Sequence, residues 1–206
     1  MRLRFHDPRA GAQRELVPAA APAVGVEEAG TSPREAAVAA SLRGALRFLG
    51  LEPRPGDEIR VGGEAPAPDR AWLKTGPAPG EPAPLPEALS ARGFSLDDYR
   101  FLCLTARYRE PLAFSWEALA AARAEREAFL SRAAEGAALA PSPRALAAYL
   151  LRFRARLEDD LDLPGALGCV RDALRPGALS PGSRAALLGR ALPALGLAAP
   201  ASRPSR

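Results

Sequence analysis

The chain has 206 residues, 48% of them hydrophobic, and 28 Lys and Arg against 24 Asp and Glu give a formal net charge of +4 at pH 7. That length suits one domain or two small ones with a real core. No run of about 20 apolar residues exists to span a membrane, and the charged start Met1-Arg2-Leu3-Arg4-Phe5-His6-Asp7 lacks the apolar segment of a secretory signal, so a cytoplasmic protein is expected.

In chain order, residues 1 to about 30 hold two short strand-like runs separated by Pro and Ala. A helix follows over Arg34 to Leu49. Ser32 can cap it, Pro33 suits its first position and Gly50 ends it, while Val38, Leu42, Leu46 and Leu49 give one buried face. Pro53 to Pro86 is dense in Pro and Gly and reads as a connector with little regular structure. Behind it the chain turns helical. Ser95 caps a helix from Leu96 to about Tyr108, and Ser115 caps a longer one to about Ala134. Ala137 to Ser142 is a break. Pro143 starts a third helix carrying Leu146, Leu150, Phe153 and Leu157, Pro164 a fourth to near Arg175, and Pro181 a fifth to near Leu195. The expectation is a mainly α protein: a small α/β part with its connector over 1–86, a helical bundle over 87–197, and a disordered tail over 198–206. Alanine supplies much of the apolar fraction, favours helix and buries little area per residue, so a shallow core is expected.

Arginine dominates the positive charge, and Lys74 is the only lysine. The guanidinium fork suits phosphate, and clustered arginines attract nucleic acid in a salt-dependent way. Arg100, Arg107 and Arg109 are the candidates for such contacts; in one helix Arg100 and Arg107, seven apart, share a face. The plainer alternative pairs Arg100 with Asp97, and Arg109 with Glu110 or Glu117, for the fold alone. Arg152, Arg154 and Arg156 run into Glu158, Asp159 and Asp160 and read as a solvated face with local ion pairs. Cys103 and Cys169 lie in apolar helical contexts and read as buried, reduced thiols. His6, the only histidine, reads as a surface residue.

The segment Asp97-Asp98-Tyr99-Arg100-Phe101-Leu102, followed by Arg107-Tyr108-Arg109-Glu110-Pro111-Leu112-Ala113-Phe114-Ser115-Trp116-Glu117-Ala118-Leu119, resembles the part of cysteinyl-tRNA synthetases that follows their K-M-S-K-S loop. Weaker matches lie in the same order along most of the chain. Leu3 to Asp7 with Glu15-Leu16-Val17-Pro18 resembles the opening strand and its turn. Val24 to Gly30 resembles the second strand, and Leu42 to Gly50 the first helix of the nucleotide-binding fold. Ile59-Arg60-Val61-Gly62-Gly63-Glu64 resembles the strand end that faces ATP, which makes Gly62, Gly63 and Glu64 the candidate remnant of a cofactor site; a plain turn is the competing reading. Ala71 to Gly76, with Gly80-Glu81, resembles the hairpin leading into K-M-S-K-S. Asp159-Asp160-Leu161-Asp162-Leu163-Pro164 resembles a late helix start.

The resemblance implies a truncated nucleotide-binding fold followed by a bundle similar to the synthetase stem and anticodon-binding domain. It implies an ATP-dependent ligase family that uses ATP, Mg and Zn. The groups that carry that chemistry are missing. Where the family has an H-I-G-H turn, this chain has Ala29-Gly30-Thr31-Ser32. Where K-M-S-K-S would supply lysines, Gly80-Glu81 runs into Pro82-Ala83-Pro84-Leu85. The family's zinc is held by two Cys, a His and a Glu; its first Cys position is Ala29 here, and the stretch carrying the His and Glu is absent after Gly62-Gly63-Glu64. No catalytic residue can therefore be named, and no cofactor and no zinc are expected. Three readings stand: an inactive ligase-like protein keeping a helical surface for tRNA or a protein partner, an active cysteine ligase acting on tRNA or a small amine, and a non-functional remnant.

Overall fold

The computed structural model describes residues 3–16, 23–67, 69–76 and 86–198. Strands β1 (Leu3–Asp7) and β2 (Ala12–Leu16) form an antiparallel hairpin with Leu3 opposite Leu16 and Asp7 opposite Ala12. Leu3 and Phe5 point to the core by strand alternation, whereas β2 is largely exposed. The two expected runs correspond to β1 and β3; β2 is additional, since AQREL carries no apolar alternation and forms by pairing with β1.

A second sheet is parallel and built from β3 (Ala23–Glu28), β4 (Glu52–Pro55), β5 (Ile59–Val61) and β6 (Ala71–Leu73), in the order β4-β3-β5-β6. Helix α1 (Pro33–Phe48) crosses between β3 and β4 and packs on the sheet. Within the described part of 53–86 three short strands thus stand where the composition suggests little regular structure. Ile59, Val61 and Leu73 are fully buried and hold the short strands in place, and the prolines of β4 are tolerated because β4 is an edge strand.

Six more helices follow: α2 (Pro86–Ala91), α3 (Leu96–Cys103), α4 (Trp116–Gly136), α5 (Pro143–Glu158), α6 (Leu163–Leu174) and α7 (Pro181–Ala194). Side chains cap the amino ends where the sequence suggested. Ser32 and Ser95 form capping boxes with Glu35 and Asp98, and Ser115 caps α4. One boundary is corrected. Helix α3 stops at Cys103, not near Tyr108. Its turn closes on Leu104, and the Thr105 hydroxyl donates to the Leu102 carbonyl at 2.7 Å, a local bond that competes with the helical ladder.

Helix α7 packs on α1, α4, α5 and α6. The approach to α1 is close: a Cβ on Gly44 would collide with the Pro193 carbonyl. The buried cluster is continuous across residue 86, joining Leu42 and Ile59 to Phe101, Phe153 and Leu188. Its largest fully buried side chains are Tyr108, Phe101, Phe153 and a set of leucines and isoleucine, so the core is deeper than the alanine content implies. No described helix is long and apolar enough to cross a membrane. Val17-Pro18, Gly80 to Leu85 and tail residues 199–206 lie outside the described residues; Ala198 is described, and its amide donates to Asp97 Oδ2 at 3.2 Å.

Candidate functional site

Two places gather the sequence-derived candidates. The first is the crevice at the carboxyl ends of β3 and β5. After β3 the chain crosses to β4 on one side, then returns to β5 on the other, so the strand order reverses there. In open α/β sheets such a switch point is where ligands bind. The amino end of α1 opens into it and would favour an anion.

The chain fills this position itself. The Glu35 carboxylate accepts the Ser32 amide at 2.9 Å and the Gly63 amide at 3.3 Å. Burial pushes this carboxyl up, but the Ser32 amide and hydroxyl, with the amides of Gly63 and Thr31, together hold it below its ordinary value. A Cβ on Gly30 or Gly62 would collide with that carboxylate. Gly62 and Gly63 are left-handed, at φ +71° and +62°, conformations that favour glycine. Gly62 donates to the Leu73 carbonyl and accepts from Trp72 Nε1 at 3.2 Å. Glu64 is exposed, and its carbonyl accepts from Arg60. Gly62 and Gly63 therefore make a turn whose free amide is occupied from inside.

The second place is the segment after α3. Arg107 and Arg109 meet there, and Arg100 does not join them, because the helix ends before Arg107. Arg100 pairs with Asp97 at 2.9 Å, as the plainer reading proposed. Arg109 pairs with buried Asp160, not with Glu110 or Glu117. Arg107 lies 3.4 Å from Asp162 and 3.9 Å from Asp160, with Glu110 at 4.0 Å. Asp160 Oδ1 also accepts the His6 amide at 2.7 Å and the Tyr108 hydroxyl at 2.6 Å. Burial pushes the Tyr108 phenol up to about 12. Asp160 and Leu161 are both left-handed, at φ 58° and 47°. Such backbone costs on the order of 1–3 kcal/mol per residue and persists where its surroundings hold it. Here the holding groups are two guanidinium ions, a phenol and an amide.

Arg34, in the first turn of α1, ties the two places together. It donates to the carbonyls of Gly76, Arg107 and Glu110 at 3.0, 3.1 and 2.6 Å. A cavity of about 270 Å³ lies nearby, lined by His6, Lys74, Thr75, Tyr108 and Arg109 among others. Cys103 and Cys169 are free and buried. Burial pushes the Cys103 thiol up to about 12 despite its hydrogen bond with Tyr99. Among the described residues no three His, Cys, Asp or Glu side chains converge as metal ligands. Glu35, Asp160, Asp162 and Arg34 were not among the candidates. Only Glu35 had a local signal, the Ser32-x-x-Glu35 capping box.

The sheet order, the crossover helix and the glycine-ended strand make the front of the molecule a small parallel α/β unit with one crossover helix, joined to a helical part. No family model matches the chain. Curated cysteine–tRNA ligases do match it. The Treponema pallidum enzyme is 36% identical over a 115-residue alignment that takes in 46% of this chain and 22% of the enzyme. Cysteine–tRNA ligase 1 of Burkholderia lata is 37% identical over 93 residues, 43% of this chain and 18% of its own. The Novosphingobium aromaticivorans enzyme is 35% identical over 118 residues, 54% and 24%. The chain is cysteine–tRNA ligase-like, and it spans under a quarter of the length of these relatives.

Proposed function

We propose that this cysteine–tRNA ligase-like chain does not form cysteinyl adenylate and acts as a cytoplasmic binding module for tRNA, with no bound zinc or nucleotide. The observation that carries the reading is the Glu35 carboxylate in the switch-point crevice. Adenylate formation needs a polyphosphate held at an anion-accepting helix end. At α1 the Ser32 and Gly63 amides already serve an internal anion, and a phosphate there would face like charge. The Ala29-Gly30-Thr31-Ser32 turn, without histidine, agrees with this.

The tRNA part rests on what the relatives are named for. The arginines singled out for it, Arg100, Arg107 and Arg109, each spend charge on a carboxylate, so any contribution they make is weak. A protein partner is the alternative occupant of the helical surface. Purified protein with cysteine, ATP and Mg²⁺ is expected to give no pyrophosphate exchange, and a tRNA transcript is expected to bind in a salt-sensitive way. Cysteine-dependent exchange above the protein-free level overturns the first half; no tRNA retention at low salt overturns the second.

A further inference from the structure

Nearly every described arginine is committed to a carboxylate, a carbonyl or an aromatic ring. Among the described residues the side chains of three make no ion pair, hydrogen bond or ring contact: Arg47, Arg144 and Arg190. Two of these three, both exposed, line one groove between α1 and α7. The groove encloses about 300 Å³ and is completed by Gly44, Phe48, Gly189, Pro193 and Ala194.

Its floor is chemically specific. Phe48 is half-buried and stands edge-on to Phe153, with ring centroids 5.2 Å apart, so its position is fixed. Gly189 is exposed, and Pro193 has no N–H to offer its carbonyl one helical turn back, which removes the i+4 donor of that carbonyl. The groove thus presents two uncompensated guanidinium groups, an aromatic surface and a backbone acceptor.

We propose that the α1–α7 groove is the RNA-binding surface of this protein, with Arg47 and Arg190 holding successive phosphates. This rests on the tRNA-binding reading above and gives it a place. Guanidinium forks match phosphate oxygens in paired fashion. A base can lie on the Phe48 ring. A ribose 2′-hydroxyl can donate to the Gly189 carbonyl, a bond that neither DNA nor an acidic polypeptide side chain offers. An acidic partner would use the arginines alone, and the groove holds more than that.

The test is a binding titration at several salt concentrations. The probes are a full-length tRNA transcript, oligo-uridylate, its deoxy counterpart and poly-glutamate. The proteins are wild type, Arg47→Ala with Arg190→Ala, the same pair changed to Lys, and Arg144→Ala. Both groove arginines are exposed, and unchanged thermal unfolding confirms the fold of each variant. The alanine pair is expected to flatten the dependence of log K on log salt by about 0.7 to 0.9 for each phosphate no longer neutralised. The lysine pair restores most of the slope, Arg144→Ala leaves it unchanged, and RNA binds more tightly than the deoxy strand. Wild-type RNA binding with the same slope in the alanine pair overturns the groove and leaves the tRNA reading standing. No RNA binding by wild type overturns both. Arginine-dependent binding of poly-glutamate in preference to RNA assigns the groove to an acidic protein and overturns the proposal.

Discussion

At the scale of single residues, Asp160 carries the most. Its carboxylate is buried and serves Arg107, Arg109, Tyr108 and the His6 amide together. Changing one member of a buried pair strands the other, at a cost of about 3–5 kcal/mol. Asp160→Asn keeps a side chain that tolerates left-handed backbone but removes the charge. It is expected to lower unfolding free energy by about 3 kcal/mol in a urea titration. Asp159→Asn next door removes the charge of an exposed pair with Arg4, leaves an oxygen that can still accept from Gln13 Nε2, and is expected to cost well under about 1 kcal/mol. Acid adds a second expectation. Burial pushes the Asp98 carboxyl up, yet the Ser95 amide and hydroxyl and the Arg126 guanidinium outweigh it and hold it below its ordinary value, as happens at Glu35. Folded values below the unfolded ones mean that this stability is present above the ordinary carboxylate range and is lost as pH falls through the folded values. Urea midpoints are expected to stay flat from about pH 7 to pH 5 and to drop below about pH 4. Asp98→Asn is expected to flatten the drop.

At the scale of elements, the caps were legible because they are local. Ser32, Ser95 and Ser115 each sit a fixed step from the amides they receive, and Pro33, Pro143 and Pro181 mark first turns. The end of α3 was not legible. Leu104 and Tyr108 continue a helical spacing, but Tyr108 is drawn to Asp160, 52 residues later. The short strands β4, β5 and β6 were hidden among Pro and Gly, and what makes them strands is β3 beside them. The same split runs through the candidate site. Arg100 with Asp97 could be read at a spacing of three, whereas the partner of Arg109 lies in another part of the chain. The α1–α7 packing offers a test of its own. Gly44→Ala places a methyl group against the Pro193 carbonyl, where neither helix has slack. Overpacking of this kind costs about 1–3 kcal/mol, visible as a lower urea midpoint with an unchanged slope.

At the scale of the whole molecule, α7 is the element the others share. Ser41, on α1, donates to the Leu195 carbonyl at 2.9 Å just beyond the end of α7. Deleting residues 181–206 strips apolar cover from α1, α4, α5 and α6 at once. The shortened chain is expected to lose its cooperative thermal transition in calorimetry. A cooperative transition near the full-length midpoint would show that the remaining helices suffice.

The bond between Ser41 and Leu195 also has a meaning in time. Strand β5 is complete by residue 61, but the cover for α1 comes from a helix more than a hundred residues later. Ribosomes add about 5–20 residues per second, so roughly six to twenty-seven seconds separate the two events. Through that interval the face of α1 that carries Ser41 and Gly44 meets water or a chaperone in place of α7, an exposure set by the order of synthesis itself.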